Sequence, residues 1–348
     1  MRVVVTGGGG FIGSHVVDEL VDGGHDVVVV DSFDPNAHSR VPDYLNPEAQ
    51  LIGANLLDYD EVFGAVRGAD AVCHHAARVG LGVDFGDVNR YVADNDAGTA
   101  TLLRALWEAQ FRGRLVVASS MVVYGEGRYE CDDHGIVRAA PRTEHALLEG
   151  RFDPACTRCG AELSPQPVPE DAAVDPRNVY AATKLHTEHL ASAFGRESGA
   201  AVCALRYHNV YGPRMPRDTP YAGVASIFRS ALEAGDAPAV FEDGRQLRDF
   251  VHVADVARAN VLALASDWRG ALNVASGEPH TVGDMAATLS TALGGPAPVV
   301  TGRYRLGDVR HVIGATTAAR DALGFGAEVA FADGMREFAF APLRDRPL

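Results

Sequence analysis

Val3-Val4-Val5-Thr6-Gly7-Gly8-Gly9-Gly10-Phe11-Ile12-Gly13-Ser14-His15 joins a β-branched apolar run to a glycine turn and then to a helix-like segment. Gly7, Gly10 and Gly13 have the spacing G-x-x-G-x-x-G. The first allows a tight turn after a strand. The second lets backbone approach a pyrophosphate, and the third lets the helix pack closely on the strand. With Phe11 and Ile12, these glycines form a dinucleotide-binding turn whose helix N-terminus faces the phosphates. Asp31 closes the next apolar run, Val27–Val30. An acidic side chain there accepts from ribose hydroxyls and repels a 2′-phosphate, which favours NAD over NADP.

Outward from this stretch, short apolar runs alternate with helix-like segments, the pattern of a parallel sheet covered on both faces. Val3–Val5, Val27–Val30, Ala71–Cys73, Leu115–Ala118 and Val202–Leu205 read as strands, with Leu51–Ile52 as a further short one. Helices are expected near 12–22, 60–67, 96–110 and 179–198. The fold class is therefore α/β, a Rossmann doubly wound parallel sheet with a smaller C-terminal substrate-binding lobe. Residues 1–205 form the first domain. Within it, 126–176 is a Pro-, Arg- and Gly-rich insertion without sustained period that carries three cysteines. Residues 206–348 are mainly lobe, and 240–270 partly return to the first domain, with a strand back in the sheet around Phe250–Val253.

The chain of 348 residues has a net charge of −15, which disfavours nucleic acid and anionic membrane as partners. No apolar run approaches the ~20 residues that span a bilayer, and the N-terminus enters a strand directly rather than a signal peptide. A cytoplasmic location follows as the expectation. The five cysteines are too sparse for a disulfide framework. Cys73 and Cys203 sit inside apolar runs and read as buried thiols.

Of the 31 basic residues, thirty are arginines and Lys184 is the sole lysine. A compact ammonium kept at one position points to a role that a guanidinium fork cannot fill. Its neighbourhood agrees. In Tyr180-Ala-Ala-Thr-Lys184, positions i and i+4 share one helix face. A phenol of ordinary pKa near 10 is a poor base at neutral pH; a nearby ammonium and a positive nicotinamide ring both favour its phenolate. A third group should offer a hydroxyl to the reacting oxygen. Ser119-Ser120 follows Leu115–Ala118 at the carboxyl end of a strand, where open α/β sheets bind ligands.

These motifs combine with His75-Ala76-Ala77, Asn95 before Gly98-Thr99, Ser120-Met-Val-Val-Tyr124-Gly125, Leu205-Arg206-Tyr207-His208-Asn209-Val-Tyr-Gly-Pro213, Arg248-Asp249-Phe250-Val251-His252-Val253 and Arg305-Leu-Gly-Asp308. Over nearly its whole length the chain resembles an extended short-chain dehydrogenase/reductase of the nucleotide-sugar epimerase/dehydratase type. The resemblance implies a tightly held NAD, Ser120 and Tyr180 gripping a sugar oxygen, and Lys184 on the nicotinamide ribose. It places Asn55 and Leu56 at the adenine, where Asn replaces the common Asp. Ala76, Ala77, Arg78 and Asn95 fall at cofactor-loop positions. Asn209, Arg248, Arg305 and Asp308 fall on a nucleotide-diphosphate substrate, with Phe241 on its base and Met121 and His208 near its sugar; a packed His208 is the bland alternative.

Family members that eliminate water or carbon dioxide tend to carry an acid after the active serine. Here Met121 and Val122 follow Ser120, and neither moves a proton. What remains is oxidation and re-reduction at one carbon, most often C4 epimerisation. The insertion adds Cys131-x-x-His134 and Cys156-x-x-Cys159, four ligands that suit a closed tetrahedral zinc site without a catalytic role; a reduced cysteine cluster is the alternative. An epimerase pattern with such an insertion, from Tyr124 to Lys184 and over Tyr211–Arg229, resembles dTDP-L-rhamnose 4-epimerases and related deoxysugar enzymes. A UDP-hexose or UDP-uronate 4-epimerase competes with that reading. From another class, so does a catalytically silent NAD-binding module, against which the intact Ser120/Tyr180/Lys184 set speaks. The resemblance also implies a homodimer through helices that include 96–110 and 179–198.

Overall fold

The computed structural model describes residues 1–80, 85–217 and 223–344. Residues 218–222, part of the Tyr211–Arg229 stretch, lie outside the described residues. The strands Arg2–Thr6, Asp26–Asp31, Gln50–Gly53, Ala71–His74, Arg114–Ser120, Ala201–Tyr207 and Gly270–Val274 form one seven-stranded sheet. Every pairing in it is parallel. Arg2–Thr6 lies inside, between Asp26–Asp31 and Ala71–His74, so the glycine turn leaves the middle of the sheet's carboxyl edge. Val3 and Val5 enter the core on one face and Val4 on the other. Burial on both faces explains why the strands read as continuous valine runs rather than alternating patterns. Cys73 and Cys203 are buried in this core, and desolvation raises both thiols to about 12.

The glycine turn is specified sterically. Gly7 has φ +70°, and a Cβ on it would lie 2.5 Å from the Ala76 nitrogen. A Cβ on Gly13 would lie 2.2 Å from the Gly7 carbonyl oxygen. Gly10 begins the Phe11–Asp22 helix without a side-chain cap, so the amides of its first turn face outward as a seat for an anion.

The helix expected at 179–198 occupies Val179–Ser198. Asn178 caps it by accepting from the Ala181 amide at 2.9 Å, and Gly199 ends it in the left-handed region. The helix expected at 96–110 is less regular. A turn of α-helix at Val88–Tyr91 widens to a π-helical turn over Val92–Ala97 before Gly98–Glu108 resumes α geometry. The wide turn seats Asn95 inward, where its amide bonds Thr183 and the Arg78 backbone.

One expected strand belongs elsewhere. Leu247–His252, which contains most of Phe250–Val253, pairs with Asn209–Tyr211 and Pro279–Thr281 in a separate three-stranded sheet. The chain returns to the main sheet later, through the Val253–Ala265 helix and the edge strand Gly270–Val274. The alternative partners are long-range, and Phe250–Val253 carries no local signal that distinguishes them. A further core, with Phe228, Met285, Leu289 and Phe338, fills the lobe. The insertion forms a small antiparallel sheet of Arg128–Cys131, Gly135–Val137 and Ser164–Gln166, strands too short to show a period in sequence. No helix of the described residues is long and apolar enough to cross a membrane.

The glycine geometry makes a direct prediction. Gly13→Ala should cost about 1–3 kcal/mol by overpacking and should lose dinucleotide during purification. A variant that melts with the parent and retains its dinucleotide would refute the close approach of Gly13 to Gly7.

Candidate active site

The Val179–Ser198 helix lies along the Arg114–Ser120 strand and brings Tyr180, Lys184 and Ser120 together. Cap and strand do this jointly: Asn178 fixes where the helix begins, and Lys184 Nζ donates 2.9 Å to the Ala118 carbonyl. The ammonium sits 5.9 Å from the centroid of the Tyr180 ring. Tyr180 is half-buried and borders Tyr91 at 6.4 Å between ring centroids. Desolvation pushes its phenol well above the ordinary value, and a hydrogen bond with Ser120 pulls it partly back. Burial lowers Lys184 to about 8, opposed by the charge of Glu188. Ser120 Oγ also receives the Val122 amide at 3.4 Å as the chain turns into the short helix Met121–Tyr124.

Glu188, one turn beyond Lys184, anchors the helix from beneath. It holds Arg206 through two bonds of 2.9 and 2.8 Å, and accepts from the Ser119 hydroxyl. Arg206 also donates to the Tyr124 hydroxyl at 2.9 Å, which itself donates to Asn273 at 2.7 Å. This satisfied buried network was missed from sequence, although Tyr180, Lys184 and Glu188 fall every fourth residue on one face. Another missed element is neutral His74, which burial holds at about 3. It bridges Thr6 and Thr99 at 2.7 and 3.0 Å.

Toward the glycine turn, Asp31 accepts the Gly9 and Phe33 amides, each at 2.9 Å. That leaves lone pairs on both of its oxygens. Phe11 and Ile12 stand in the helix's first turn, with Phe11 against the lobe core and Ile12 against the main core. Leu56 is buried, while the Asn55 side-chain oxygen is already committed to the Leu57 amide at 2.9 Å. Ala76 packs against Gly7 and donates to Thr6 Oγ1 at 3.3 Å, with Ala77 next in the same loop. Arg78 pairs with Asp94 at 2.7 Å and Asp34 at 3.2 Å. The cradle fits a dinucleotide: an uncapped helix N-terminus, glycines with no room for a Cβ, and a carboxylate at the end of the second strand.

On the lobe side, Arg305 and Arg303 lie over the Phe241 ring at 5.4 and 5.0 Å. Asp308 is raised by burial against the pull of Arg248, Arg305 and Arg142. Arg248 spends three donor bonds on the carbonyls of Leu247, Arg310 and Val309, so it organises backbone and keeps few donors for a ligand. Asn209 carries a buried, unpartnered side-chain oxygen. Met121 packs with Val123, Tyr124 and Val168. His208 is buried against Gly314, the packed arrangement rather than an open one. Sequence reading missed Glu126, a buried carboxyl that desolvation raises beside Arg142, Arg177 and Arg248; its position in the insertion carried no signal.

In the insertion, Cys131, His134, Cys156 and Cys159 point their ligand atoms to within 4.8 Å of one another. Cys131 Sγ is 3.5 Å from His134 Nδ1 and 3.6 Å from Cys159 Sγ, and Cys156 Sγ is 3.7 Å from His134 Nδ1. The glycines after His134 and Cys159 take φ +63° and +77°, closing each knuckle. Amides of Arg158 and Cys159 lower the Cys156 thiol to about 6.

A glycine-turn nucleotide cradle beside a Ser/Tyr/Lys cluster at the carboxyl edge of a parallel sheet defines an NAD-dependent enzyme acting at a hydroxyl-bearing carbon. Residues 3–161 and 156–275 match the model of the NAD dependent epimerase/dehydratase family, and the chain belongs to that family. It is 30% identical over 319 residues to a dTDP-L-rhamnose 4-epimerase of Burkholderia thailandensis, covering 89% of this chain and 86% of the relative. Its fold is similar to that of a UDP-glucose 4-epimerase of Thermotoga maritima solved with UDP-glucose, at TM-score 0.80, 29% identity and 97% coverage of both chains. It is also similar to a UDP-glucose 4-epimerase of Thermus thermophilus solved with NAD, at TM-score 0.76 and 29% identity, covering 97% of this chain and 98% of that one.

Lys184 yields a prediction with a defined sign. Its folded value lies below the ordinary 10.5, so the unfolded chain binds the proton more tightly. The burial penalty is therefore complete below about pH 8 and fades as the pH rises toward 10.5, with a size on the order of 3 kcal/mol. Cofactor-free Lys184→Met should melt no lower than the cofactor-free parent at pH 7, with any advantage shrinking above pH 8, and the NAD-loaded variant should lose turnover steeply. A lower melting temperature at pH 7 would show the ammonium to be a net stabiliser.

Proposed function

We propose that the chain is an NAD-dependent nucleotide-sugar 4-epimerase, with a dTDP-deoxysugar such as dTDP-L-rhamnose as the favoured substrate. The observation that carries this reading is the buried Lys184 ammonium 5.9 Å from the centroid of the Tyr180 ring, tied at 2.9 Å to the Ala118 carbonyl of the strand that ends in Ser120. Gly7, Gly10, Phe11, Ile12, Gly13, Asp31, Leu56, Ala76, Ala77 and Asn95 would hold the cofactor. Bound NAD would supply a hydride acceptor that becomes the donor on return, so no external oxidant is consumed. Tyr180 takes the C4 hydroxyl proton as that carbon becomes a ketone and gives it back after the sugar presents its other face. Ser120 holds the same oxygen, and Lys184 stabilises the phenolate by charge. Met121 and Val122 offer no second acid, which supports epimerisation over elimination. Asn209, Phe241, Arg305 and Asp308 receive the nucleotide diphosphate.

A UDP-hexose is the second reading, favoured by the similarity to the Thermotoga enzyme solved with UDP-glucose. Incubation with a panel of dTDP- and UDP-sugars, without added NAD, separates the two. Inversion at C4 of a dTDP-deoxysugar is expected; inversion of UDP-sugars alone would replace the substrate, and no inversion would remove the epimerase. Tyr180→Phe should keep its NAD and lose turnover by at least about a hundredfold, the range of a general base. Undiminished turnover would exclude Tyr180 as the base.

The four-ligand cluster is proposed to hold a structural zinc. Zinc–sulfur bonds of about 2.3 Å put tetrahedral sulfurs near 3.8 Å apart, close to the 3.6 Å between Cys131 and Cys159. Freshly purified protein should contain zinc equimolar with the chain; a zinc-free preparation would remove the assignment. A homodimer is proposed across the exposed sides of the Gly98–Glu108 and Val179–Ser198 helices, where Trp107 is half exposed.

A further inference from the structure

The zinc knuckle lies apart from the Tyr180 helix, yet the loop it closes reaches the nucleotide-binding lobe. Metal at Cys131, His134, Cys156 and Cys159 ties the turn 131–134 to the turn 156–159 and so fastens both ends of residues 135–155. Two charged side chains of that loop, Arg142 and Asp153, reach the lobe. Arg142 donates to Glu242 Oε1 at 2.7 Å and to the Asp308 carbonyl at 2.5 Å. Asp153 accepts from Arg310 at 2.8 Å and bonds His311 at 3.1 Å.

Both targets are buried ions. Arg310 is 0% exposed and Glu242 3%. Arg310 also holds Glu242 Oε2 at 2.8 Å and Asp243 through bonds of 2.7 and 2.9 Å. Glu242 is therefore bracketed by one guanidinium from the insertion and one from the lobe. It follows Phe241 directly and takes φ +52°, a conformation that a glutamate keeps only under restraint. Arg310 ends the segment that carries Arg305 and Asp308.

Beyond these bonds the loop is held by the pairing of Gly135–Val137 with Arg128–Cys131, by an Arg138–Asp175 ion pair at 2.8 Å and by a buried Leu147. The insertion's core is Tyr129, Cys131, Ala139, Cys156 and Leu163, and two of those five are ligands. So small an apolar cluster does not offset the entropy of ordering such a loop. A bond set that closes the loop supplies that restraint. Loosening it would strip one partner each from Glu242 and Arg310, and a buried ion left short of its partner is strongly unfavourable. The Phe241 turn and the 305–310 segment would then shift to let water in.

We propose that the Cys131/His134/Cys156/Cys159 site is a metal-dependent brace for the nucleotide subsite: through Arg142 and Asp153 it sets affinity for the nucleoside diphosphate, not the hydride chemistry. This rests on the zinc and nucleotide-sugar readings above. Arg142 and Asp153 are positioning residues. The Tyr180 helix keeps its own supports in Asn178, the Ala118 carbonyl and Glu188.

The test titrates dTDP and UDP by calorimetry into zinc-loaded, chelator-stripped and zinc-refilled enzyme, with zinc and NAD contents measured on each sample. Stripping should weaken binding by about tenfold or more, the worth of one to two charge-assisted hydrogen bonds, with NAD retained and affinity restored on refilling. Arg142→Met, carrying full zinc, should show the same weakening, with KM raised and kcat little changed. If the stripped protein unfolds, zinc-loaded Arg142→Met and Asp153→Asn decide alone. Unchanged affinity in those variants would overturn the brace while zinc and epimerase stand. Zinc-free fresh protein would overturn the metal and the brace but not the epimerase. Failure of the zinc-loaded parent to bind either nucleotide would overturn the nucleotide-sugar reading and the brace with it.

Discussion

A single buried ammonium organises this molecule. Lys184 lies out of water with one carbonyl, that of Ala118, as its hydrogen-bond acceptor. A charge in that position is held at a cost, which shows in the fall of its pKa to about 8. Two things keep it there. The Asn178 cap fixes the helix register, and the Glu188–Arg206 pair one turn further on locks helix to sheet. Glu188 also supplies a negative charge four residues along the same face, which favours the ammonium. The same desolvation acts on Tyr180 in the opposite sense: burial raises the phenol and lowers the amine, driving apart two groups whose ordinary values lie close together, so without cofactor the site favours a neutral phenol. Under the proposed mechanism, proton exchange with a substrate hydroxyl would draw on the positive nicotinamide ring, coupling chemistry to cofactor binding through electrostatics.

Sequence revealed those parts of this arrangement that local geometry dictates. The glycine spacing follows from steric limits within a few residues, at Gly7 and Gly13, and the bounds of the Val179–Ser198 helix follow from a cap at each end. Tyr180 and Lys184 were found because four-residue spacing puts them on one face. Glu188 continues that spacing but was not read, since its value lies in Arg206, on a strand whose distance from the helix no local pattern encodes. Phe250–Val253, expected in the main sheet, differs for the same reason: the observed strand Leu247–His252 pairs over long range with Asn209–Tyr211 and Pro279–Thr281. The π-helical turn that aims Asn95 inward likewise leaves an ordinary helical sequence. Arg248 was read as a phosphate ligand from motif position, whereas its donors largely support three backbone carbonyls.

Charge is distributed against the average of the chain. The whole chain carries a net −15, yet the lobe-side site gathers Arg248, Arg303 and Arg305 around Asp308 and Phe241. An anionic ligand entering there meets local cations within a Debye length of about 8–10 Å, while the acidic exterior repels polyanions too large for the cleft. Under the proposed nucleotide-sugar reading, that contrast would favour a small diphosphate over nucleic acid.

The arginine bias has a consequence for how these cations are held. A guanidinium offers five donors in a fixed plane and tolerates partial dehydration better than an ammonium, so Arg206, Arg248 and Arg310 each tie several segments at once while buried. Lysine in those places would satisfy fewer carbonyls and carboxylates and would shift its own pKa on burial. At position 184 the demands reverse. There the chain holds a slim, single point of charge on a long apolar stem, which passes near a phenol ring and reaches one carbonyl. Arginine at 184 would bring a planar fork whose further donors find one carbonyl, leaving several buried N–H groups unsatisfied at roughly 1–3 kcal/mol each. At Arg206, Arg310 and Lys184 the buried cation matches the acceptors around it, whereas exposed arginines such as Arg40, Arg104 and Arg320 fall outside that rule.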